Sequence, residues 1–179
     1  MPVCPICNSE FEEGVGVCTD CGAELVEPLD TCKDELLCET CGNCVGTDDE
    51  YCRHCGAVFE EGITCTEHPD TEAGSVCVIC RRPLCGECTE TKSGVSFCRQ
   101  HNDYSFFNNW AVVYTTGTES DAQMIQERLE VHDIPCVVDS RKDSVWGVTF
   151  GPLAEIGILV PFEYVLRAEE SFRKLNGKG

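Results

Sequence analysis

Residues 4–21, CPICNSEFEEGVGVCTDC, and residues 38–55, CETCGNCVGTDDEYCRHC, carry the same cysteine spacing thirty-four positions apart. Each reads C-x2-C-x10-C-x2-C, with Cys4, Cys7, Cys18 and Cys21 in the first and Cys38, Cys41, Cys52 and Cys55 in the second. The match runs past the cysteines. Cys21-Gly22-Ala23 aligns with Cys55-Gly56-Ala57, and Leu25 aligns with Phe59. Such a repeat is one structural unit used twice. Two residues between cysteines let a tight turn aim both thiolates at one ion while its backbone amides donate to the sulfurs. Glycine after a pair, as at Gly22, Gly42 and Gly56, supplies the positive φ of that turn. Ten intervening residues make a short hairpin that returns the second turn to face the first. The product is a closed tetrahedral Cys4 site, which is structural because no ligand position is left open.

On these residues the chain resembles the zinc-ribbon family over residues 2–27 and 36–60. Cys4-Pro5-Ile6-Cys7 and the run from Cys52 through Gly56 to Phe59 are its carrying motifs. Cys44 adds a second C-x2-C, so the pair Cys41/Cys44 stands as an alternative to Cys38/Cys41. The spacing of the first repeat favours Cys38/Cys41 and leaves Cys32 and Cys44 as spare thiols, or as a redox pair. Rubredoxin-like iron sites also use two such turns. The short inserts and few aromatics here favour zinc.

Residues 65–101, CTEHPDTEAGSVCVICRRPLCGECTETKSGVSFCRQH, change the pattern. They hold four ligand pairs: Cys65/His68, Cys77/Cys80, Cys85/Cys88 and Cys98/His101. Four residues between Cys80 and Cys85 are too few for a hairpin that brings the second and third pairs comfortably to the same ion. Interleaving relieves this, with Cys65, His68, Cys85 and Cys88 on one ion and Cys77, Cys80, Cys98 and His101 on another. The sequential assignment, in which the first two pairs share one ion and the last two the other, is the alternative. The segment resembles the B-box zinc finger, which implies the same cross-braced ligand set. Its last pair, Cys98/His101, departs from animal B-boxes, where histidines dominate, and resembles prokaryotic versions. Four structural Zn²⁺ ions are therefore expected, and the first hundred residues are built around them in place of an ordinary apolar core.

The chain has 179 residues, 17 of them cysteine, with 16 of these before residue 99. Met1-Pro2-Val3-Cys4 has neither the basic nor the apolar region of a secretory leader, and no apolar run reaches a membrane span. A cytoplasmic location follows as an expectation, where thiols stay reduced and cysteines read as ligands before disulfides. Acids outnumber bases 32 to 13, and residues 1–61 hold fifteen acids against Lys33 and Arg53. Four zinc ions with fourteen thiolates deepen the formal charge to about −25. A phosphate backbone would be repelled.

After His101 ordinary periodicity returns. Residues 102–109 form a junction. Residues 110–115 read as a strand, Thr118 or Ser120 as a helix cap, and Ala122, Ile125 and Leu129 as one helical face over residues 119–132. Residues 134–139 and 156–160 are further strands, joined by a long connection over residues 140–155. Pro161 suits a helix start, with Val165, Ala168, Phe172 and Leu175 as its buried stripe. The order β-α-β-β-α argues a small α+β domain, close to a ferredoxin-like unit lacking its final strand. Its core is marginal alone, so packing on a zinc module or a partner is expected. Val112 to Gly117, the helix with Ala122 and Leu129, His132-Asp133-Ile134-Pro135, Leu159-Val160-Pro161 and Ala168 resemble a prokaryotic signal-transducing domain family that has no assigned activity. The domains expected are thus 1–28 and 36–61 (ribbons), 62–103 (double zinc finger) and 110–176 (α+β).

No P-loop, G-x-S-x-G or H-E-x-x-H occurs, so no enzymatic activity is expected. Asp139, Arg141, Lys142 and Asp143 read as a solvated cluster, Cys136 as a small packed residue, Trp146 and Phe150 as packing or a partner anchor. His54 is expected on the surface and His132 near a helix end. The leading expectation is a zinc-binding adaptor whose acidic modules meet a protein partner with a basic face. A nucleic-acid-associated factor and a thiol redox or metal sensor are the alternatives.

Overall fold

A computed structural model of the chain describes residues 1–7, 9–20, 22–26, 36–139 and 156–176, the side chains of residues 174–176 excepted. Cys21, Cys32, Arg141, Lys142, Asp143, Trp146, Phe150 and the side chain of Leu175 lie outside the described residues. The chain divides into two units, Asp30–Tyr104 and Met1–Leu29 with Ser105–Gly179.

Among its described residues, Asp30–Tyr104 has no strand longer than four residues, because its sequence is cut every few positions by a cysteine turn. β1 (Leu36–Leu37) pairs antiparallel with β2 (Cys44–Val45), and Tyr51 bridges Val58 behind the second turn. β3 (Ser75–Val76) pairs with β4 (Pro83–Leu84), and β5 (Thr89–Lys92) with β6 (Val95–Cys98). Ser93 and Gly94, at φ +50° and +79°, make the two-residue turn of that last hairpin. Cysteines fill the interior together with Val76, Val78, Ile79, Leu84, Val95 and Phe97.

The repeat and the following module form one body at Cys55-Gly56-Ala57. Val76 N–H donates to Gly56 O at 2.7 Å, Ser96 N–H donates to Cys55 O at 2.9 Å, and Ala57 bridges Ser75. This docking corrects the expectation for His54. Its turn is covered, and the side chain is 8% exposed and not on the surface.

In the other unit, β7 (Phe106–Phe107) turns through Asn108, at φ +50°, into β8 (Trp110–Thr116). Helix α1 (Glu119–Val131), β9 (Val137–Asp139), β10 (Ile156–Pro161), a 3-10 turn (Phe162–Tyr164) and α2 (Val165–Asn176) follow. The sheet order is β7-β8-β10-β9, antiparallel throughout. The result is a β-rich domain with two helices. The edge beside β8 is closed by β7, in the stretch expected as a junction. β9 is shorter than expected because Ile134 is used to end α1: its N–H donates to Leu129 O while Asp133 N–H donates to Glu130 O. Thr118 caps α1, and Ala122, Ile125 and Leu129 are its buried face. In α2, Val165 and Ala168 are buried and Phe172 is half-buried. Arg128 ties the helices, donating from Nε to Ser171 Oγ at 3.1 Å and from Nη2 to Ser171 O at 2.7 Å.

Strand alternation gives the sheet two working faces. Ala111, Ile158 and Val160 lie on the helical face. The register shift between Ile158 and Leu159 brings Tyr114 to that face as well, where it meets Phe172 at 5.7 Å. The opposite face carries Trp110, Val137 and Leu159, and these bury Cys4, Cys18 and Ala23 of the first repeat. Ile6, Phe11, Leu25, Val26, Phe107 and Val112 close the margins. Asn108 Nδ2 donates to Pro5 O at 2.9 Å across the same junction. No helix among the described residues is long and apolar enough to cross a membrane.

Candidate metal centres

The C-x2-C turns that open at Cys4, Cys18, Cys38, Cys52 and Cys77 place their ligands by the same local device, the first cysteine's N–H bonding to the carbonyl five residues on. In the first repeat Cys4 N–H bonds to Ser9 O; in the second Cys38 N–H bonds to Asn43 O and Gly42 N–H to Cys38 O. The knuckle glycines Gly22, Gly42 and Gly56 all have positive φ, as the turn requires. The backbone amides of Thr40 and Cys41 reach the Cys38 sulfur, and those of Ile6 and Cys7 reach that of Cys4.

Four groups of ligand atoms result. Cys38, Cys41, Cys52 and Cys55 form one; Cys65, His68, Cys85 and Cys88 a second; Cys77, Cys80, Cys98 and His101 a third. Cys4, Cys7 and Cys18 form the fourth, and its expected fourth ligand, Cys21, lies outside the described residues. In residues 65–101 the structure thus brings the pairs together in the interleaved arrangement. Cys44 stands apart from the cluster of the second repeat and is disulfide-bonded.

The spacing within these groups fits a central ion. Tetrahedral zinc with Zn–S bonds of about 2.3 Å holds its sulfurs about 3.8 Å apart, and a sulfur and a histidine nitrogen about 3.5 Å apart. The Sγ–Sγ separations are 3.7 Å for Cys7–Cys18, 3.8 Å for Cys38–Cys55, 3.6 Å for Cys41–Cys52 and 3.8 Å for Cys80–Cys98. Both histidines present Nδ1. His68 Nδ1 lies 3.3 Å from Cys85 Sγ and 3.4 Å from Cys88 Sγ. His101 Nδ1 lies 3.2 Å from Cys98 Sγ and 3.6 Å from Cys77 Sγ. The residues present therefore fit a tetrahedral cation, with every ligand supplied by protein in the three groups described in full.

Electrostatics points the same way. Burial pushes the Cys52 thiol up to about 11 and Cys55 higher still. Cys41 Sγ lies 3.6 Å from Cys52 Sγ. Cys77 is pulled down to about 4, chiefly by the hydrogen bond from Cys80, whose own thiol is pushed up in exchange. Burial works against ionising Cys65, but amides of Cys85, Glu67 and His68 outweigh it and bring the thiol to about 6. Thiols this close do not ionise together without a cation among them; a bound metal ion deprotonates all of them outright. Asn43 Nδ2 donates to Cys41 Sγ at 3.3 Å, an outer contact that orients a ligand.

Cys136 lies one residue before β9, half-buried. Burial, then Glu130 and Glu24, push its thiol up to about 11, so it is neutral at ordinary pH. His132 sits at the C-terminal cap of α1, where its carbonyl accepts from Arg167 Nη2 at 2.8 Å. The structure groups no catalytic side chains around either residue among those described. The docking of the first repeat against Trp110 agrees with the expectation that a marginal core packs on a cysteine-rich module; which module it would be, and through which face, had no signal beyond the half-apolar edge of that repeat, Ile6, Phe11 and Leu25. No protein family, no curated protein and no solved structure is matched by this chain.

Proposed function

We propose that the chain is a non-enzymatic, cytoplasmic zinc-binding adaptor that joins proteins through its acidic modules and its two-helix β domain. The carrying observation is that its Cys/His groups are closed. Each completely described group has four protein ligands around one point and no position for a substrate. Metal in such a site holds shape and does no chemistry. On this reading the two repeats are zinc ribbons and residues 65–101 a B-box-type double finger. The β domain is a signal-transducing unit whose strand order is ferredoxin-like, with β7 at the edge where the fourth strand of that fold would lie. Fifteen acids among residues 1–61 favour a partner with a basic face and disfavour nucleic acid. Native mass spectrometry of the intact chain is expected to count four zinc ions. Proteins retained by the immobilised chain are expected to be basic and to be released at high salt. Retention indifferent to salt, or tight salt-sensitive binding of RNA or DNA by residues 1–61, would overturn the reading.

One observation favours a second role, thiol redox sensing: Cys44 is disulfide-bonded beside a ligand turn. Under this reading Cys44→Ser changes the oxidation behaviour of the zinc-loaded chain; unchanged behaviour removes it.

A further inference from the structure

The two repeats share a backbone hydrogen-bond frame. Cys18 N–H donates to Ala23 O as Cys52 N–H donates to Ala57 O, and Leu25 N–H donates to Gly16 O as Phe59 N–H donates to Glu50 O. Val3 faces Glu10 as Leu37 faces Cys44, and Val17 faces Glu24 as Tyr51 faces Val58. Among the described residues, one element of the first repeat has no counterpart in the second. Val26 runs along the outer edge of Val3 and exchanges two bonds with it, Val3 N–H to Val26 O at 2.8 Å and Val26 N–H to Val3 O at 3.0 Å. The thirty-four-residue offset puts Glu60 at the position of Val26. Among the described residues Glu60 makes no bridge to Leu37. Instead Gly62, at φ +85°, turns the chain toward the bridge between Thr64 and Glu72.

In an antiparallel pair, residues alternate between exchanging bonds with the opposite residue and directing both groups outward. Cys38 N–H crosses to Asn43 O. Leu37 is therefore the residue whose N–H and C=O point away from β2, as those of Val3 do. Both side chains of this strand are apolar and exposed, Leu36 at 59% and Leu37 at 63%, and Phe59 is 45% exposed. Phe59 aligns with Leu25, which is half-buried in the first repeat.

Charge selects the occupant. Residues 36–61 hold Glu39, Asp48, Asp49, Glu50, Glu60 and Glu61 against Arg53 alone, and Arg53 lies 3.6 Å from Asp49. A second copy of a chain with net charge −19 would be repelled from this edge, whereas a strand bearing Lys or Arg would be drawn to it. We propose that the outer edge of β1 is a strand-addition site for an extended, apolar segment of a partner protein flanked by Lys or Arg. The segment lies along Leu37 as Val26 lies along Val3, with an apolar side chain against Leu37 and Phe59. This rests on the adaptor reading and narrows it to one edge and one class of partner.

The probe is a capped peptide of alternating Lys and Val, titrated into the full metal-loaded chain and followed by backbone amide shifts. Saturable binding centred on Leu36, Leu37 and Phe59 is expected. N-methylation of the central Val should weaken it about tenfold or more, because it removes a ladder donor, and so should the pair Leu36→Ser with Leu37→Ser. Shifts elsewhere only, or binding indifferent to N-methylation and to the serine pair, would overturn the assignment. So would sedimentation showing a dimer whose interface maps to Leu37, since a second copy would then hold the edge. If basic proteins still bind the serine pair in a salt-sensitive way, the adaptor reading stands and this edge is not its site. If the native chain binds neither peptide nor basic proteins, both readings fall.

Discussion

Gly56 sits where two modules meet, and its missing side chain is what lets them meet. A Cβ there would lie 2.1 Å from Val76 O and 3.1 Å from Ser96 Cβ, on a backbone at φ +81°. Both the clash with main chain and the left-handed φ oppose any larger residue. Gly56→Ala is expected to destabilise the metal-loaded chain by roughly 2–5 kcal/mol, measured by denaturant unfolding. Gly42, at φ +74° with nothing near its Cβ position, is the internal control and should cost only about 1–2 kcal/mol. Arg81 is the converse case. It follows Cys80 where the repeats place glycine, and it accepts φ +62°. Its side chain accounts for its presence. Nη1 donates to Arg53 O at 3.3 Å, and the guanidinium lies 6.0 Å from the centre of the Tyr51 ring. A strained backbone is tolerated there because the side chain ties residues 65–101 to the second repeat.

At the scale of elements, α1 shows what local sequence encodes. Thr118 Oγ1 accepts from Asp121 N–H at 3.2 Å, and Glu119 and Asp121 place negative charge at the first turn. The helix ends with paired bonds through Asp133 at φ +52°, a conformation glycine adopts without penalty. Thermal unfolding should show opposite signs for two substitutions. Thr118→Ala is expected to cost about 1 kcal/mol, and Asp133→Gly to gain about 0.5–1 kcal/mol. The buried triplet Ala122, Ile125 and Leu129 was legible because a helix repeats its buried face at a fixed interval. The ligand turns were legible for a similar reason, since two thiolates must reach one point from a single turn. β7 was not legible. Two residues, Phe106 and Phe107, carry no period, and only the neighbouring β8 makes them a strand. Ile134 misled by propensity: a β-branched residue shortly before Val137 and Val138 reads as strand, but Pro135 and Cys136 separate them and its amide is committed to Leu129. The burial of His54 and the seat of the first repeat depend on contacts far apart in sequence, and no spacing rule reports those.

For the whole molecule, the metal question is bound up with the β domain. Cys4 and Cys18 are members of the same apolar cluster as Trp110, Val137 and Leu159. One face of the sheet is therefore sealed by the first ligand group, while Ala111, Ile158 and Val160 pack with the helices on the other. Structural zinc contributes about 10–16 kcal/mol per site in isolated fingers. Removing it should expose Trp110, which is 4% exposed in the folded chain. In a Trp146→Phe background, chelation is expected to shift Trp110 emission to the red and to speed amide exchange in β8 and β10. Unchanged emission and exchange would show that the sheet holds without the first site.

The contact between Asn108 and Pro5 spans 103 residues. A ribosome adds about 5–20 residues per second, so Pro5 waits roughly 5–20 seconds for Asn108 to be made. During that interval the apolar flank of Ile6, Phe11 and Leu25 has no sheet to cover it, and its thiols have no wall. Early capture of a metal ion is then a matter of biosynthesis as well as of stability: it fixes the nascent hairpin while the rest of its shelter is still being translated.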